Sequence, residues 1–415
     1  MKALSASPSP ASRRMLLYRI SFILLAFTAT GCTGHLLSRP PGKKFEIGLW
    51  VQAEGQNHTL DNLRKIDQLL RLSRTAGVTD LYVQVYRGGK AWYPTRLADD
   101  SPSRRAGADP LAYLLRQAKP ERKIRVHAWI NTFALSRNRK APLIADFGSE
   151  VVLRDLYGRS LLDYPANGKP SWAQGFGLGT PGIFLDPAHL GVRIRIAGIA
   201  AELLKRYSSL AGIHLDFIRY PYALPISPGS AFSPRLDFGY GTETVLRFGA
   251  ETGQAAPSAG VNATVADYQA WDNWRRLQVT ETVRYIHLAI RATRPDSSLS
   301  AAVLPWAERA YLSSFQDWRG WLAEGILDKA MIMNYSRDTT LAAQISRAST
   351  GVRPKNQRKG RTNIVIGLGA YLHKNSPAAL WRQWRDAREA GADGVTLFSY
   401  DQMVDEKEFW RFPAR

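Results

Sequence analysis

Short apolar runs alternate with longer amphipathic stretches from Phe45 onward, and this alternation predicts repeated units of a β-strand followed by an α-helix. Most of the apolar runs are nearly continuous, as expected for parallel strands that are covered on both faces. The candidate strands are Phe45–Val51, Asp80–Tyr86, Ile124–Ile130, Gly212–Ile218, Leu299–Trp306, Ala330–Tyr335, Ile364–Ala370 and Gly394–Tyr400. Eight such units predict a single (β/α)8 barrel, also called a TIM barrel, with an open doubly wound sheet as the alternative.

Two of the predicted connections are much longer than ordinary loops. Residues 131–185 follow the third strand and residues 219–270 follow the fourth, and both are rich in Gly, Pro and aromatic residues. In a barrel both loops emerge at the C-terminal face, where active sites lie. We therefore expect them to form ordered, aromatic cleft walls. The aromatic candidates are Trp172, Phe176, Tyr222, Phe232 and Tyr240.

The N-terminal segment has the features of an export signal. Basic residues precede an apolar run from Met15 to Thr30, and Cys32 follows small residues, which resembles a bacterial lipobox. The run is shorter than the about 20 apolar residues that a membrane span needs. We interpret residues 1–32 as a lipoprotein signal with a lipidated Cys32, residues 33–44 as a tether, and residues 45–415 as the barrel domain. An ordinary secretory signal with an incidental cysteine is the alternative.

This interpretation places the protein in the bacterial envelope, held to a membrane by an N-terminal lipid. Thr33 follows the cysteine in place of the Asp that is linked to retention in the inner membrane. We therefore favour the periplasmic face of the outer membrane.

Charge narrows the choice of partner. The chain has 56 Lys and Arg against 35 Asp and Glu, a formal net charge of +21. Residues 1–32 hold four of the basic residues and no acid, so +17 belongs to the remainder. Such an excess indicates anionic partners. Export argues against nucleic acid and leaves envelope glycans and lipid headgroups.

The sequence predicts no metal and no cofactor. A single cysteine excludes an intramolecular disulfide and a Cys-rich metal site. The sequence also carries no zinc motif, no phosphate-binding glycine loop between a strand and a helix, and no nucleotide fingerprint.

The fourth predicted strand carries the first candidate site residues. Period-two alternation places His214 and Asp216 on one face, shortly before Arg219 and Tyr220. An acid at the end of an apolar strand is costly to bury unless it is paired or functional. Asp216 is therefore either a site residue or one partner of a structural ion pair, for example with Arg219.

The ends of the other predicted strands carry aromatic, amide and charged residues. The third strand places His127, Trp129 and Asn131 on one face, although a strand histidine is more often a hydrogen-bonded core residue. Aromatic rings stack on pyranose faces, while amide, His and Arg side chains bind hydroxyl and acyl oxygens, so the set predicts a sugar site. The remaining candidates are Arg87, Trp306, Asn334, Tyr335 and Tyr400.

Several dispersed motifs carry a family resemblance. The earlier stretches are residues 82–94, 127–131, 185–193 and 212–221, and the later ones are residues 315–318, 333–335, 366–369 and 397–400. Together, from about Gly48 to Tyr400, they resemble the family 10-like glycosyl hydrolase group of bacterial envelope barrels. The resemblance implies a (β/α)8 barrel that hydrolyses glycosidic bonds, and peptidoglycan glycan strands without stem peptides as the substrate.

The same resemblance implies that Asp216 is the central acid of the site, with Arg219 and Tyr220 beside it. Members of the group often carry a second acid directly after this Asp, where the present chain has Phe217. Glycoside hydrolysis usually uses two carboxyl groups. Since Glu308 follows the fifth strand, which neighbours the fourth in a barrel, we predict Glu308 as the general acid.

Three alternatives to this assignment stay open. Asp401 and Glu54, after the eighth and first strands, are the other candidates for the second carboxylate. In a substrate-assisted route, the acetamide group of the sugar supplies the nucleophile and Asp216 orients it or donates the proton. A non-catalytic, glycan-binding lipoprotein is the rival function, and the missing acid at Phe217 is its best support.

Overall fold

The computed structural model describes residues 44–119, 124–173, 175–225, 236–257, 262–351 and 363–413. In these residues eight parallel strands form a closed ring, because the first strand pairs with both the second and the eighth. The strands are β1 (Glu46–Val51), β2 (Asp80–Arg87), β3 (Arg125–Asn131), β4 (Gly212–Asp216), β5 (Ser298–Val303), β6 (Lys329–Asn334), β7 (Asn363–Gly369) and β8 (Gly394–Phe398). The predicted (β/α)8 barrel is confirmed.

Helices occupy the connections between successive strands. They are α1 (Leu63–Ala76), α2 (Ser101–Arg105), α3 (Pro110–Gln117), α4 (Pro142–Phe147), α5 (Leu190–Arg206), α6 (Thr242–Thr252), α7 (Val265–Thr293), α8 (Ala307–Ser314), α9 (Trp318–Glu324), α10 (Thr339–Gly351) and α11 (Pro377–Glu389). Among the described residues, no helix is both long and apolar enough to cross a membrane.

The chain after β8 differs from the expected eighth helix. Within residues 399–413 it forms two short 3-10 helices, Tyr400–Gln402 and Lys407–Trp410. Six of these 15 residues are charged, which interrupts the apolar stripe that an amphipathic helix needs. Instead Phe409 is buried, and the Phe412 ring lies 5.4 Å from that of Trp384 on α11.

The apolar core has two layers. The larger layer lies between the outer face of the sheet and the surrounding helices, and a smaller aromatic cluster includes Trp50, Tyr82 and Trp129 from β1, β2 and β3. Gly367 on β7 makes room for the Trp50 indole, since a Cβ on Gly367 would stand 2.5 Å from its Cη2 atom. Large rings therefore fill the space that small residues leave open.

The two long loops follow β3 and β4, as the sequence predicts. They meet in a small antiparallel sheet in which Phe176–Leu178 pairs with Ala223–Pro225. Of the aromatic residues expected in the cleft walls, Tyr222 lines the cleft, whereas Tyr240 packs against Trp271 at 5.4 Å and Trp172 stacks on Arg159. Phe232 lies outside the described residues, as do Cys32 and the predicted signal and most of the tether.

Candidate active site

The carboxyl ends of the barrel strands surround an open cleft of about 1080 Å³. Its aromatic lining includes Trp50, Trp129 and Phe398, and the Trp129 and Phe398 rings meet edge to face with centroids 6.5 Å apart. Pockets for drug-sized ligands typically measure about 300–1,000 Å³. The cleft therefore has room for several linked sugar rings.

Asp216 ends β4 and lines the cleft, where it is partly exposed. Its Oδ1 atom accepts a 2.7 Å hydrogen bond from the backbone N–H of Phe217. Burial raises the pKa of the Asp216 carboxyl to about 6, although the Phe217 amide, Arg219 and the Trp129 indole favour the charged form. Within the described part of the chain, Asp216 forms no ion pair within 4 Å, so the structural pair with Arg219 is not made there. The carboxyl can therefore hold a proton close to neutral pH.

Glu54 is the other carboxylate of the described residues that lines the cleft. It lies just after β1, and its Oε2 atom is 3.2 Å from Nε of Arg87 at the end of β2. Its Oε1 atom is 3.5 Å from Nζ of Lys90. Lys90 belongs to a two-residue strand that folds back on β2, so a local hairpin supplies this second cation.

Polar and aromatic groups complete the lining. Asn131, at the end of β3, accepts a 3.0 Å hydrogen bond through its Oδ1 atom from the Gln84 amide of β2. Tyr335 follows β6, and burial raises the pKa of its phenol, so the hydroxyl is a neutral donor. Trp306 follows β5 and is 39% exposed at the rim. Rings and neutral donors of this kind suit the faces and hydroxyls of sugars.

The family model for "Glycosyl hydrolase-like 10" matches residues 47–386, which include seven of the eight barrel strands. The chain belongs to this family. The match confirms the resemblance that the motifs indicate, and the barrel described above is its scaffold.

Two curated relatives show what this glycosyl hydrolase-like 10 chain is similar to. It is 26% identical to glycosyl hydrolase DigH of Escherichia coli strain K12, over 77% of this chain and 67% of the relative. It is 23% identical to glycosyl hydrolase YngK of Bacillus subtilis strain 168, over 69% of this chain and 50% of the relative.

A solved structure shows the same fold. The catalytic domain of a β-amylase from Paenibacillus polymyxa matches with a TM-score of 0.55 and 13% identity, over 90% of this chain and 95% of that chain. At this identity the likeness concerns the barrel alone.

The structure brings several of the predicted site residues of this glycosyl hydrolase-like 10 chain together. They come from the ends of five strands or the loops just after them, and all line the cleft. These residues are Arg87, Trp129, Asn131, Asp216, Arg219, Trp306 and Tyr335.

The two predicted histidines do not line the cleft. His127 bonds to Oδ1 of Asp80 at 2.8 Å, and its ring stacks on Tyr82 at 4.6 Å. His214 accepts a 2.9 Å hydrogen bond at Nε2 from the Trp50 indole and contacts Ser300 Oγ at 3.0 Å through Nδ1. Burial lowers the pKa of both imidazoles. Both are hydrogen-bonded core residues, and His214 fixes the orientation of Trp50, which does line the cleft.

Three other predicted binding residues also point away from the cleft. Tyr220 is buried with its ring 5.1 Å from that of Phe315, and Tyr400 is buried with its ring 6.0 Å from that of Trp410. Asn334 donates from Nδ2 to the Ala342 carbonyl at 2.7 Å and thus ties β6 to α10. The reason is alternation: Tyr335 turns into the cleft, so its neighbour Asn334 turns outward.

The structure does not bring Glu308 together with Asp216. Glu308 lies in the first turn of α8 with its side chain 71% exposed, and its Oε1 atom is 2.6 Å from Nη1 of Arg319. Asp401 is also absent from the lining, and its Oδ1 atom accepts a 2.9 Å hydrogen bond from the backbone N–H of Asn57. Of the predicted partners for Asp216, only Glu54 shares its cleft.

Sequence reasoning missed part of the cleft lining. Gln84 shares a strand face with Tyr82, so alternation along β2 contains a signal for it. Arg137 and Arg309 also line the cleft, but they lie in a loop and a short helix where no periodic pattern indicates which way a side chain points.

Proposed function

We propose that this protein is a glycoside hydrolase that cleaves peptidoglycan glycan strands lacking stem peptides. We also propose that a lipid on Cys32 holds it in the bacterial envelope, at the periplasmic face of the outer membrane. The observation that carries the hydrolytic role is the carboxyl of Asp216, which lies in an aromatic, sugar-sized cleft with a pKa of about 6. General acids of glycosidases are carboxyl groups whose pKa burial has raised in this way.

In this proposal Asp216 protonates the oxygen of the leaving sugar. Glu54, held by Arg87 and Lys90, is the second carboxylate and attacks the anomeric carbon or activates water. A substrate-assisted route would replace Glu54 by the acetamide oxygen of the sugar, so the two routes differ in their need for Glu54.

The cleft also suits an anionic polymer. Five cationic residues and two carboxylates of the described chain line it, and glycan strands without stem peptides carry the free carboxylates of muramic acid. The cationic residues are Arg87, Lys90, Arg137, Arg219 and Arg309.

Hydrolysis is tested with peptidoglycan that is either intact or stripped of stem peptides by an amidase, with products identified by mass spectrometry. We expect the wild type to cleave the stripped glycan, and Asp216→Asn to release no product while its circular dichroism spectrum is unchanged. Near-normal turnover by Asp216→Asn would contradict the proposal. Glu389→Gln, which alters an exposed carboxylate at the end of α11, is the matched control and should cleave normally.

Glu54→Gln separates the two routes. If Glu54 is the second carboxylate, turnover falls by about 100-fold or more, because loss of such a group removes several kcal/mol of transition-state stabilisation. If the substrate acetamide is the nucleophile, Glu54→Gln keeps most of its turnover.

The binding-only alternative rests on Phe217, which occupies the position of the second acid. It predicts that the wild type binds stripped glycan in a pull-down assay but releases no product after long incubation.

The envelope anchor has its own test. Cells expressing the full-length chain are grown with labelled palmitate, and the label should enter the wild type and be absent from Cys32→Ser. Equal labelling of both proteins would remove the anchor from the proposal and leave the hydrolytic role untouched.

A further inference from the structure

Arg219 is a buried cation that faces the cleft without an acidic partner. It is 5% exposed, and among the described residues no carboxylate lies within 4 Å of it. Its guanidinium carbon lies 5.0 Å from the ring centroid of Phe217 and 5.1 Å from that of Tyr222. Its Nη1 atom donates a 3.2 Å hydrogen bond to the Tyr220 carbonyl. These contacts hold the group in place, while the Asp216 carboxylate acts on its charge only from beyond ion-pair distance.

Other buried arginines of the described chain are satisfied more fully. Arg275 pairs with Asp237 and Asp272. Arg193 and Arg276 each donate from two of their nitrogens to protein oxygens. None of these three lines the cleft. Among the residues that the structure describes, Arg219 thus combines burial, one hydrogen bond to protein and an opening toward the ligand space.

Placing an unpaired charge in a buried position is unfavourable unless a counter-charge arrives. Stacking of the Arg219 guanidinium on aromatic faces offsets part of this free-energy cost, as in other cation–π contacts. The residue at 217 could have supplied a carboxylate next to Arg219, but it is a phenylalanine with a φ of +52°, a left-handed backbone conformation that is unusual for an aromatic residue. The position next to Arg219 therefore carries a ring in place of a counter-ion.

We propose that Arg219 binds the free carboxylate of an acidic sugar in the cleft and so selects glycan whose muramoyl carboxylates are unsubstituted. The inference rests on the proposed function and deepens it. In peptide-bearing strands that carboxylate is part of an amide bond to the stem peptide and carries no charge. Removal of the peptide restores the charge, which Arg219 distinguishes from the amide. A guanidinium binds a carboxylate through two parallel hydrogen bonds, which an amide cannot accept in the same way.

The test measures binding separately from hydrolysis. The full-length chain carrying Asp216→Asn is titrated by calorimetry with a tetrasaccharide of alternating N-acetylglucosamine and N-acetylmuramic acid, and with the same tetrasaccharide after conversion of its carboxylates to methyl amides. We expect the amide to bind about 10- to 100-fold more weakly, the range for a charge-assisted hydrogen bond. With Arg219→Gln added, both ligands should bind alike, at the affinity of the amide.

A control variant shows whether the loss of affinity is specific to Arg219. Arg347→Gln, on the exposed face of α10, should leave both affinities unchanged. Equal affinity of the two ligands for the protein that retains Arg219, or an equal loss for both in Arg219→Gln, would overturn the inference. If Arg219→Gln fails to fold, the comparison of the two ligands on the Arg219 protein decides alone.

The two proposals fail in different ways. Hydrolysis of stripped glycan together with equal binding of carboxylate and amide would remove the role of Arg219 and keep the hydrolase. A clear preference for the carboxylate without hydrolysis by the wild type would keep Arg219 as a carboxylate receptor and remove the hydrolase. No binding of either ligand would overturn both.

Discussion

Burial of Asp216 couples the chemistry of the cleft to the stability of the barrel. The pKa of its carboxyl is about 6 in the fold and 3.8 ordinarily, so the folded state binds the proton more tightly. Its contribution to the free energy of unfolding is therefore fully present below about pH 4 and is lost as the pH rises through about 6. At neutral pH the charged carboxylate destabilises the fold in which it acts.

Asp216→Asn is thus expected to stabilise the protein at neutral pH while abolishing hydrolysis. Asparagine keeps an oxygen for the Phe217 amide and carries no charge to bury, so the gain should be on the order of 1–3 kcal/mol near pH 7. Urea denaturation of both proteins near pH 4 and near pH 7 measures it. The gain should shrink toward zero at the lower pH, and an equal difference at both values would contradict the burial of this carboxyl.

Residue types at strand ends predicted much of the cleft but not its details. Alternation along a strand predicts the inward positions of Asp216, Trp129 and Asn131, because the strands that carry them are regular. His214 follows the same alternation yet bonds to Trp50 in the barrel interior. Sequence alone does not distinguish depth along a strand, and depth decides whether an inward side chain meets ligand or core.

At the scale of elements, two neighbouring residues at the junction between β6 and α10 have different roles, one structural and one in the cleft. Asn334 bonds to the Ala342 carbonyl and to Ser346 Oγ at 3.2 Å, while Tyr335 lines the cleft. Asn334→Ala removes the two hydrogen bonds that tie β6 to α10 and leaves a cavity in their place, although Ser346 Oγ still donates to the Ala342 carbonyl at 2.9 Å. We expect a loss of about 1–3 kcal/mol in the free energy of unfolding. The KM for stripped glycan should stay unchanged; a large rise in KM with unchanged stability would place Asn334 in the binding site instead.

A buried charge cluster joins three strands of the barrel. Lys329 on β6 donates to Glu46 on β1 at 2.5 Å and contacts the Tyr82 hydroxyl of β2 at 2.6 Å, and both charged side chains are almost fully buried. Lys329→Met removes the nearer cation of the Glu46 carboxylate and leaves Arg125, whose Nη2 atom lies 3.7 Å from Glu46 Oε2. Removal of one partner of such a pair typically destabilises by about 3–5 kcal/mol.

The expected loss in Lys329→Met is measured by urea denaturation. A double variant, Lys329→Met with Glu46→Leu, should recover much of the stability, since it removes both charges together. If the single and the double variants are equally unstable, packing of the lysine stem rather than its charge accounts for the loss.

Element order could be predicted from the sequence, whereas the ends of the elements could not. Gly212–Ile218 is predicted as one strand, but β4 stops at Asp216 because Phe217 adopts the left-handed conformation. The apolar pattern of this stretch continues past the point at which the backbone turns. Glu308 was likewise placed near the site by strand order, but α8 directs its side chain to solvent.

At the scale of the whole molecule, the positive charge of the cleft makes binding depend on salt. The Debye length, over which salt screens electrostatic interactions, falls from about 10 Å at 0.1 M to about 3 Å at 1 M ionic strength. We expect the KM for stripped glycan to rise several-fold over this range with little change in kcat. Binding of a neutral N-acetylglucosamine oligomer should stay nearly constant, and an equal salt effect on both ligands would show that the cleft cations do not select charge.

The direction of β1 has a further consequence for how the protein can be immobilised on a solid support. Lys44 is exposed and enters β1 at Glu46, and the strand runs toward the cleft, which lies at its carboxyl end. At about 3.3 Å per residue, β1 alone separates its two ends by roughly 17 Å. A bead or an electrode coupled at Lys44 is therefore bound to the face opposite the cleft. A long polymer can then approach from the free side without the support blocking its path.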